Sequence, residues 1–263
     1  SRYVIAADGM WSPVRKAVGA AEPGYLGEWH AFRQYLRAPG PQARKLWVWF
    51  EPDLLPGYAW SFPLPGGIAN VGFGILRRRN EPTRSMGATW RRLLAVPHVT
   101  ETFGSFEAEA PHKAWPIPCR LPTATWTGAS GRVLMVGDAA RAGDPMTGEG
   151  IGQALETGRL AAAAVLAAGP RAADVAAARY EGALRRGMVI DHRLAGCLSR
   201  VLSSVPGARG AVHAAGASAW TRRQFARWLF EDYPRAVLAT PWRWGPDAAG
   251  RWGAGAAGRC PSG

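Results

Sequence analysis

RVLMVGDAARAGDPMTGEGIGQALETG, residues 132–158, holds a strand, a turn, a loop and the start of a helix in one string. Val133-Leu134-Met135-Val136 is a short apolar run followed at once by Gly137-Asp138. That order predicts a buried strand ending in a turn, with Asp138 delivered to the sheet edge. After a loop containing Pro145, Thr147-Gly148-Glu149-Gly150 opens a helix whose apolar positions, Ile151, Ala154, Leu155 and Leu160, recur at helical spacing. A helix N-terminus presents unpaired N–H groups and the positive end of the macrodipole, and Gly148 and Gly150 allow an electron-rich ring or a phosphate close to that backbone. A carboxylate and an anion-friendly helix end are thus expected one loop apart. Gly-Asp after a strand is by itself an ordinary turn; the reading rests on the whole string.

Working outward, Tyr3 to Ala7 is apolar, Asp8-Gly9 turns, and Ser12 is a good N-cap with Pro13 at the first helical position, so a strand, a turn and a short helix are expected. From 30 to 76 the period changes to two. The runs 30–37, 45–51, 58–63 and 68–76, separated by Pro/Gly turns, predict an antiparallel sheet. Within it Tyr58, Trp60 and Phe62 share one face of a strand, as core packing or as the lining of an apolar pocket. Residues 84–96 read as a surface helix with Trp90, Leu93 and Leu94 on one side, and 115–118 return the chain to the first unit. An amphipathic helix is expected over 174–205, with Tyr180, Leu184, Val189, Leu194, Leu198 and Val201 as packing positions and Asp191-His192 as a surface pair.

The 263 residues, 48% of them hydrophobic, are enough for one large domain or two small ones with a real core. A formal net charge of +13 points towards nucleic acid or an anionic surface. The excess is scattered arginine, however, densest at Arg77-Arg78-Arg79, with only Lys16, Lys45 and Lys113 as lysines, so no nucleic-acid partner is expected. Cys119, Cys197 and Cys260 fit neither a disulfide framework nor metal-ligand spacing, which implies a reducing cytoplasm and no metal. The Ala-rich run 160–168 is too short to cross a bilayer. Any membrane contact is expected to be peripheral; a tail rich in Trp and Arg, which contains Trp220, Trp228, Trp242, Trp244 and Trp252, reads either as such a surface or as a cap on the antiparallel sheet. No Ser-His-Asp, paired-carboxylate or metal constellation stands out, so no catalytic residue is assigned.

Gly137-Asp138-Ala139-Ala140 followed by Pro145-x-Thr147-Gly148-Glu149-Gly150-Ile151 resembles the second FAD-binding motif of the flavin-dependent monooxygenase and geranylgeranyl reductase superfamily. Ala7, Asp8, Gly9, Ser12, Val14 and Arg15 match its Asp-Gly motif. The resemblance implies that Asp138 hydrogen-bonds ribityl or ribose hydroxyls and that the backbone from Gly148 to Ile151 faces the flavin pyrimidine. The implied cofactor set is Asp8, Gly9, Arg15, Gly137, Asp138, Pro145, Thr147, Gly148, Glu149, Gly150 and Ile151. Arg141 and Asp144 depart from the family pattern, where a small residue and Asn are usual. Tyr58-x-Trp60-x-Phe62-Pro63, followed by Val71-Gly72-x-Gly74, resembles the narrower substrate-domain signature of the geranylgeranyl reductases. It implies that Tyr58, Trp60, Phe62, Pro63, Gly72 and Gly74 line an isoprenoid cavity.

The resemblances run from about Tyr3 to Leu202 and imply an α/β (α+β) fold. An incomplete, discontinuous Rossmann-like FAD-binding domain (1–29 and 115–170) is expected beside an antiparallel-sheet substrate domain (30–114), with a C-terminal helical region (171–245) and a disordered tail (246–263). No Gly-x-Gly-x-x-Gly between a strand and a helix lies ahead of Asp8, so the chain is expected to correspond to the C-terminal two-thirds of a family member. The implied function is FAD-dependent reduction of C=C bonds in an apolar small molecule, isoprenoid or aromatic, with NAD(P)H or another reductant as electron donor. An FAD monooxygenase and a non-catalytic remnant without the pyrophosphate loop stand as alternatives. The protein is expected in the cytoplasm, free or at a membrane surface.

Overall fold

The computed structural model describes residues 2–37, 40–77 and 85–222. Arg78, Arg79, Arg84, the tail tryptophans Trp228, Trp242, Trp244 and Trp252, and the segment 246–263 lie outside the described residues. Strand β1 (Val4–Ala6) leads into α1 (Pro13–Ala17), followed by β2 (Trp29–Arg37), β3 (Trp47–Trp49), β4 (Tyr58–Leu64) and β5 (Ile68–Leu76). Then come α2 (Met86–Leu94), α3 (Pro97–Phe103), β6 (Glu107–Ala108), β7 (Lys113–Ile117), β8 (Thr127–Gly128) and β9 (Val133–Met135). Four helices follow: α4 (Ile151–Ala168), α5 (Ala173–Arg186), α6 (Met188–Leu202) and α7 (Val205–Gly216). The class is the mixed α/β one expected from the sequence.

The strands form two sheets. The smaller has the order β1-β9-β8, with β1 parallel to β9 and Ala6 opposite Met135. All three β9 residues are buried, in a core completed by Ala161 and Ala164 of α4 and by Tyr180 and Leu184 of α5. The Tyr180 hydroxyl donates to the Met135 carbonyl at 2.6 Å, which gives the buried phenol its partner and fixes α5 against the strand. The Asp-Gly and Gly-Asp turns thus leave neighbouring parallel strands at the same edge, as the shared-site reading requires.

The larger sheet has the order β3-β4-β5-β2, and β6 and β7 share the outer edge of β2. Alternation sends Phe32, Leu36, Ala59, Val71 and Phe73 into a core under α2 and α3, where Trp90 and Phe103 pack. The opposite face carries Tyr58, Trp60 and Phe62, whose ring centroids follow one another at 5.9 and 6.1 Å. Gly74 and Gly72 stand opposite Tyr58 and Trp60 on β5. Their lack of a side chain is used at once. A Cβ on Gly72 would lie 2.5 Å from the Trp60 ring and 2.4 Å from the Phe32 carbonyl oxygen, and one on Gly74 would lie 3.6 Å from Trp29. The glycines are the floor on which two indoles lie.

Three expectations about helices need correction. The helix read over 174–205 is two helices, broken at Gly187 (φ −115°, ψ −89°). The break resets the phase, so α6 buries Met188, His192, Ala195 and Ser199 along with the expected Val189, while Val201 is 56% exposed. His192 is therefore no surface residue. On α4 the buried side is Gln153, Thr157, Ala161 and Ala164, whereas Ile151 and Leu155 are 78% and 72% exposed. The Gly137 turn packs directly on this helix, since a Cβ on Gly137 would lie 3.0 Å from the Ala154 Cβ.

Gly72→Ala is expected to lower stability by about 1–3 kcal/mol, the usual cost of overpacking, because backbone lies on one side of the new methyl. Thermal or urea unfolding measures it; an unchanged midpoint would contradict the packing described.

Candidate flavin site

Each element of the site is fixed by local chemistry. Asp8 Oδ2 accepts from the Val14 N–H at 2.9 Å, and Ser12 Oγ accepts from the Arg15 N–H at 2.9 Å, so the first turn of α1 is doubly capped. Burial acts to raise the Asp8 pKa, but the hydrogen bonds from Ser12 and Val14 outweigh it and hold the carboxyl below its ordinary range. Arg15 is buried, and its guanidinium donates to the carbonyls of Met10 at 2.7 Å and Ala139 at 3.2 Å. Arg15 thereby ties the Asp-Gly turn to the Gly-Asp turn. Both side chains are engaged in building the site; Gly9 turns the chain beside them with a positive φ.

Asp138 differs from both. It sits in the short 3-10 turn Gly137–Ala140 at the end of β9, and its carboxylate has no hydrogen-bond or ion-pair partner among the described residues. Burial pushes its pKa up from the ordinary carboxyl value. The turn is held from below by Thr157 Oγ1, which accepts from the Gly137 N–H at 2.8 Å. A Cβ on Gly150 would lie 3.7 Å from Asp138 Oδ1, so the acid lies beside the N-terminus of α4, where Gly150 is the N-cap and no side chain caps the end. An unpartnered carboxylate next to an uncapped helix end is a pairing of acceptor and donors that a polyhydroxylated, electron-rich ligand satisfies.

The loop between them is rigidly braced. Asp144 Oδ1 accepts from the N–H groups of Met146 (2.9 Å) and Thr147 (2.8 Å) and from the Thr147 hydroxyl (3.0 Å). An acceptor oxygen at this position is what the turn needs, and the Asp144 carboxylate supplies it as the side-chain carbonyl of an Asn would. Gly148 has φ +73°, and its α-carbon side faces Trp29 and Ile117, whose atoms would lie 3.6 to 3.7 Å from a Cβ there. Across the gap, Trp29 Nε1 donates to the Pro145 carbonyl at 3.1 Å and the Tyr58 hydroxyl donates to the Thr147 carbonyl at 2.8 Å. Tyr58 also lies 3.3 Å from Glu149 Oε1. Pro145, Thr147, Gly148 and Glu149 therefore meet the larger sheet at Trp29 and Tyr58. Trp60 and Phe62 continue the same face, and Pro63 lies beyond them, exposed.

Arg141 has a left-handed backbone (φ 58°), and its side chain turns away from the loop. It is ion-paired to Glu22 at 2.7 Å and its guanidinium lies 3.8 Å from the Tyr25 ring centre. Arg120 reaches the same Glu22 at 2.5 Å, so 22–28 is fastened to the rim of the site. Two residues that hold the site, Trp29 and Tyr25, were not singled out from sequence, and a third, His192, was read only as half of a surface pair. His192 Nε2 lies 2.8 Å from the Gly143 carbonyl oxygen, which ties α6 to the loop from 49 residues away. An indole at the head of an alternating strand was the available signal for Trp29; His192 had none, since its partner is a backbone carbonyl. Among the described residues no cluster of His, Cys, Asp or Glu could hold a metal ion, and no helix is long and apolar enough to cross a membrane.

A short parallel strand pair that delivers a carboxylate turn to an uncapped helix end, with an antiparallel sheet closing over it, defines the flavin-binding class of α/β protein. The FAD binding domain family matches residues 1–168, and the chain belongs to it. FAD is thus the cofactor, and the residues fit it: the Asp138 carboxylate is unsatisfied, and the glycines leave the helix end open. Menaquinone reductase of Mycolicibacterium smegmatis is 31% identical over 183 residues, 60% of this chain and 39% of that protein. Digeranylgeranylglycerophospholipid reductase 1 of Methanopyrus kandleri is 32% identical over 165 residues, 61% of this chain and 42% of that protein. The chain thus spans about 40% of the length of these curated relatives. A geranylgeranyl bacteriochlorophyll reductase-like protein from Thermoplasma acidophilum shares the fold, with a TM-score of 0.67 at 21% identity, over 91% of this chain and 61% of that one. A probable FAD-dependent monooxygenase from Pseudomonas aeruginosa shares it more loosely, with a TM-score of 0.54 at 21% identity.

His192→Leu is expected to cost about 1–3 kcal/mol of stability, because the Gly143 carbonyl is left buried without its donor, and to weaken FAD binding by loosening the loop. His192→Gln, which keeps a donor, should recover part of both in unfolding and flavin-fluorescence titrations. Equal behaviour of the two variants would refute this role.

Proposed function

We propose that the chain is the flavin and substrate-facing part of an FAD-dependent reductase that saturates C=C bonds in an apolar, isoprenoid-type substrate. The observation that carries the reading is the contact between the aromatic face and the flavin loop: Tyr58 hydrogen-bonds Thr147, and Trp60 and Phe62 extend the same face from that point. The names of the relatives, reductases of an isoprenoid lipid and of menaquinone, agree with it. Asp138 would accept hydrogen bonds from cofactor hydroxyls, and the N–H groups at the start of α4 would face the electron-rich edge of the ring. When bound, FAD supplies the redox chemistry of hydride transfer. The chain supplies position: Trp29 and Tyr58 set the distance between loop and sheet, and the apolar face excludes water from the space between.

In this reading Asp8 and Arg15 act by shaping the site, Gly72 and Gly74 by seating the indoles, and NAD(P)H or another reductant is the electron source. The setting is the cytoplasm, at the surface of the membrane in which such a substrate dissolves. The test supplies FAD, a reductant and an isoprenoid acceptor to the protein and analyses the product by mass spectrometry. A product carrying two more hydrogens and no added oxygen is expected. Incorporation of one oxygen atom would replace the reading with a monooxygenase, and an unchanged acceptor would leave the chain a binding remnant.

A further inference from the structure

The aromatic face of the larger sheet grades from buried to exposed as it leaves the flavin loop. Tyr58 is buried at the loop, Trp60 and Phe62 are half-buried, and Leu64, next on the same side of β4, is 42% exposed. Ile68 of β5 stands opposite Leu64. Leu46 lies one residue before β3, where Trp47 pairs with Ser61, so alternation brings Leu46 beside Phe62 on this same face. It is 52% exposed. The far end of the face is therefore an apolar rim. Arg44 and Lys45, both exposed, stand immediately before Leu46, at the end of the short 3-10 turn Pro41–Arg44 that packs against β4. From β2, Arg37 donates to the Gly66 carbonyl at 3.3 Å and is ion-paired to Glu109 at 2.7 Å, which braces the hairpin tip and matches the charge of that acid.

Two leucines exposed at one end of a sheet are ordinary by themselves. They acquire a meaning from the apolar track that starts at them and from the cations beside them. The six-residue advance from Tyr58 to Leu64 spans about 20 Å, so the rim lies about that far from the row that touches the loop. Apolar groups at a membrane interface seat about 5–10 Å deep, while Lys and Arg stay level with the anionic headgroups. A bilayer meeting the rim thus leaves the flavin loop in water, with the aromatic face as the path between the two.

We propose that the rim formed by Leu46 and Leu64, with Arg44 and Lys45, docks the protein on the surface of an anionic lipid bilayer, so that an apolar chain passes from the membrane onto the aromatic face. The assignment rests on the substrate reading above and names the partner of that site. The cations of the rim match anionic headgroups, and both leucines lie on the side of the sheet that faces the flavin loop. The membrane contact is thereby placed on the sheet, apart from the Trp-rich tail that composition alone suggests.

The FAD-supplemented chain is sedimented with vesicles of phosphatidylcholine alone and of phosphatidylcholine mixed with phosphatidylglycerol. Binding should appear with the anionic vesicles only and weaken as salt rises. Leu46→Glu with Leu64→Glu, and separately Arg44→Gln with Lys45→Gln, should each lower that binding about tenfold or more, while the affinity for free geraniol stays within about twofold. Matching unfolding temperatures for the variants and the wild type show that the fold is intact. Vesicle binding that survives both pairs of substitutions, no binding by the wild type, or equal binding of the two kinds of vesicle overturns the docking surface and leaves the substrate reading standing. A dimer that forms without lipid and that Leu64→Glu dissociates makes a second copy the occupant of the rim and overturns the proposal equally. Vesicle binding without any binding of geraniol overturns the substrate reading and, with it, the role given to this surface.

Discussion

Parallel pairing of Val4–Ala6 with Val133–Met135 is the constraint from which the site follows. Parallel neighbours end at the same edge, so the turns after Ala6 and after Met135 emerge side by side although almost 130 residues separate them. Arg15 uses that proximity by donating to a carbonyl of each turn. Asp8 is then occupied with capping α1, and Asp138 alone of the two motif acids is left without a partner. Two acids that look alike in the sequence thus differ in the fold, one capping a helix and one left without a partner among the described residues.

The second sheet is held at a fixed distance from that edge by two side chains. Trp29 and Tyr58 each donate to a carbonyl of the 145–147 loop, and Gly74 and Gly148 give the Trp29 ring room on both of its faces. These are long-range bonds, the Tyr58 one buried and the Trp29 one part-buried, so a small shift of either ring moves the sheet relative to the helix end. On the far side His192 and the Gly143 N–H, which donates to the Pro118 carbonyl at 3.0 Å, fix the same loop from the helical layer. A cofactor site needs this kind of bracing, because bound groups are held in a working geometry only where the surrounding side chains are themselves fixed.

Strands β1 to β5 and β9 and the two turns were legible because each is written locally: an apolar run, a period of two, a Gly-Asp or Asp-Gly step; the strand order was not, and β7, read as part of a return to the first unit, pairs with β2 of the larger sheet. The face shared by Tyr58, Trp60 and Phe62 followed from alternation alone. What sequence reading missed are contacts that no period announces. The apolar stripe of α4 does not coincide with its buried side, which is Gln153, Thr157, Ala161 and Ala164, while Ile151 and Leu155 face outward. His192 was misplaced because Gly187 breaks the helix and resets which residues face inward. Arg141 and Asp144 depart from the family pattern yet fit, one reaching away to Glu22 and Tyr25 and the other serving as the loop's internal acceptor.

The central claim is that Asp138 is kept unpartnered for a cofactor at the expense of stability, and Asp138→Asn tests it most directly. Burial raises the native pKa above the unfolded value near 3.8, so the folded state binds a proton more readily than the unfolded one. The penalty is therefore absent below the unfolded pKa, grows as pH rises through the native pKa, and is complete above it. Unfolding of the cofactor-free chain should show Asn more stable than Asp at pH 7, with the gap closing towards about pH 3.5. FAD titration of the same two proteins should show the opposite order, with Asn weaker by about tenfold or more, since a charge-assisted bond contributes about 1.5–3 kcal/mol. Lower stability of the Asn variant at pH 7 together with unchanged FAD affinity would contradict the account.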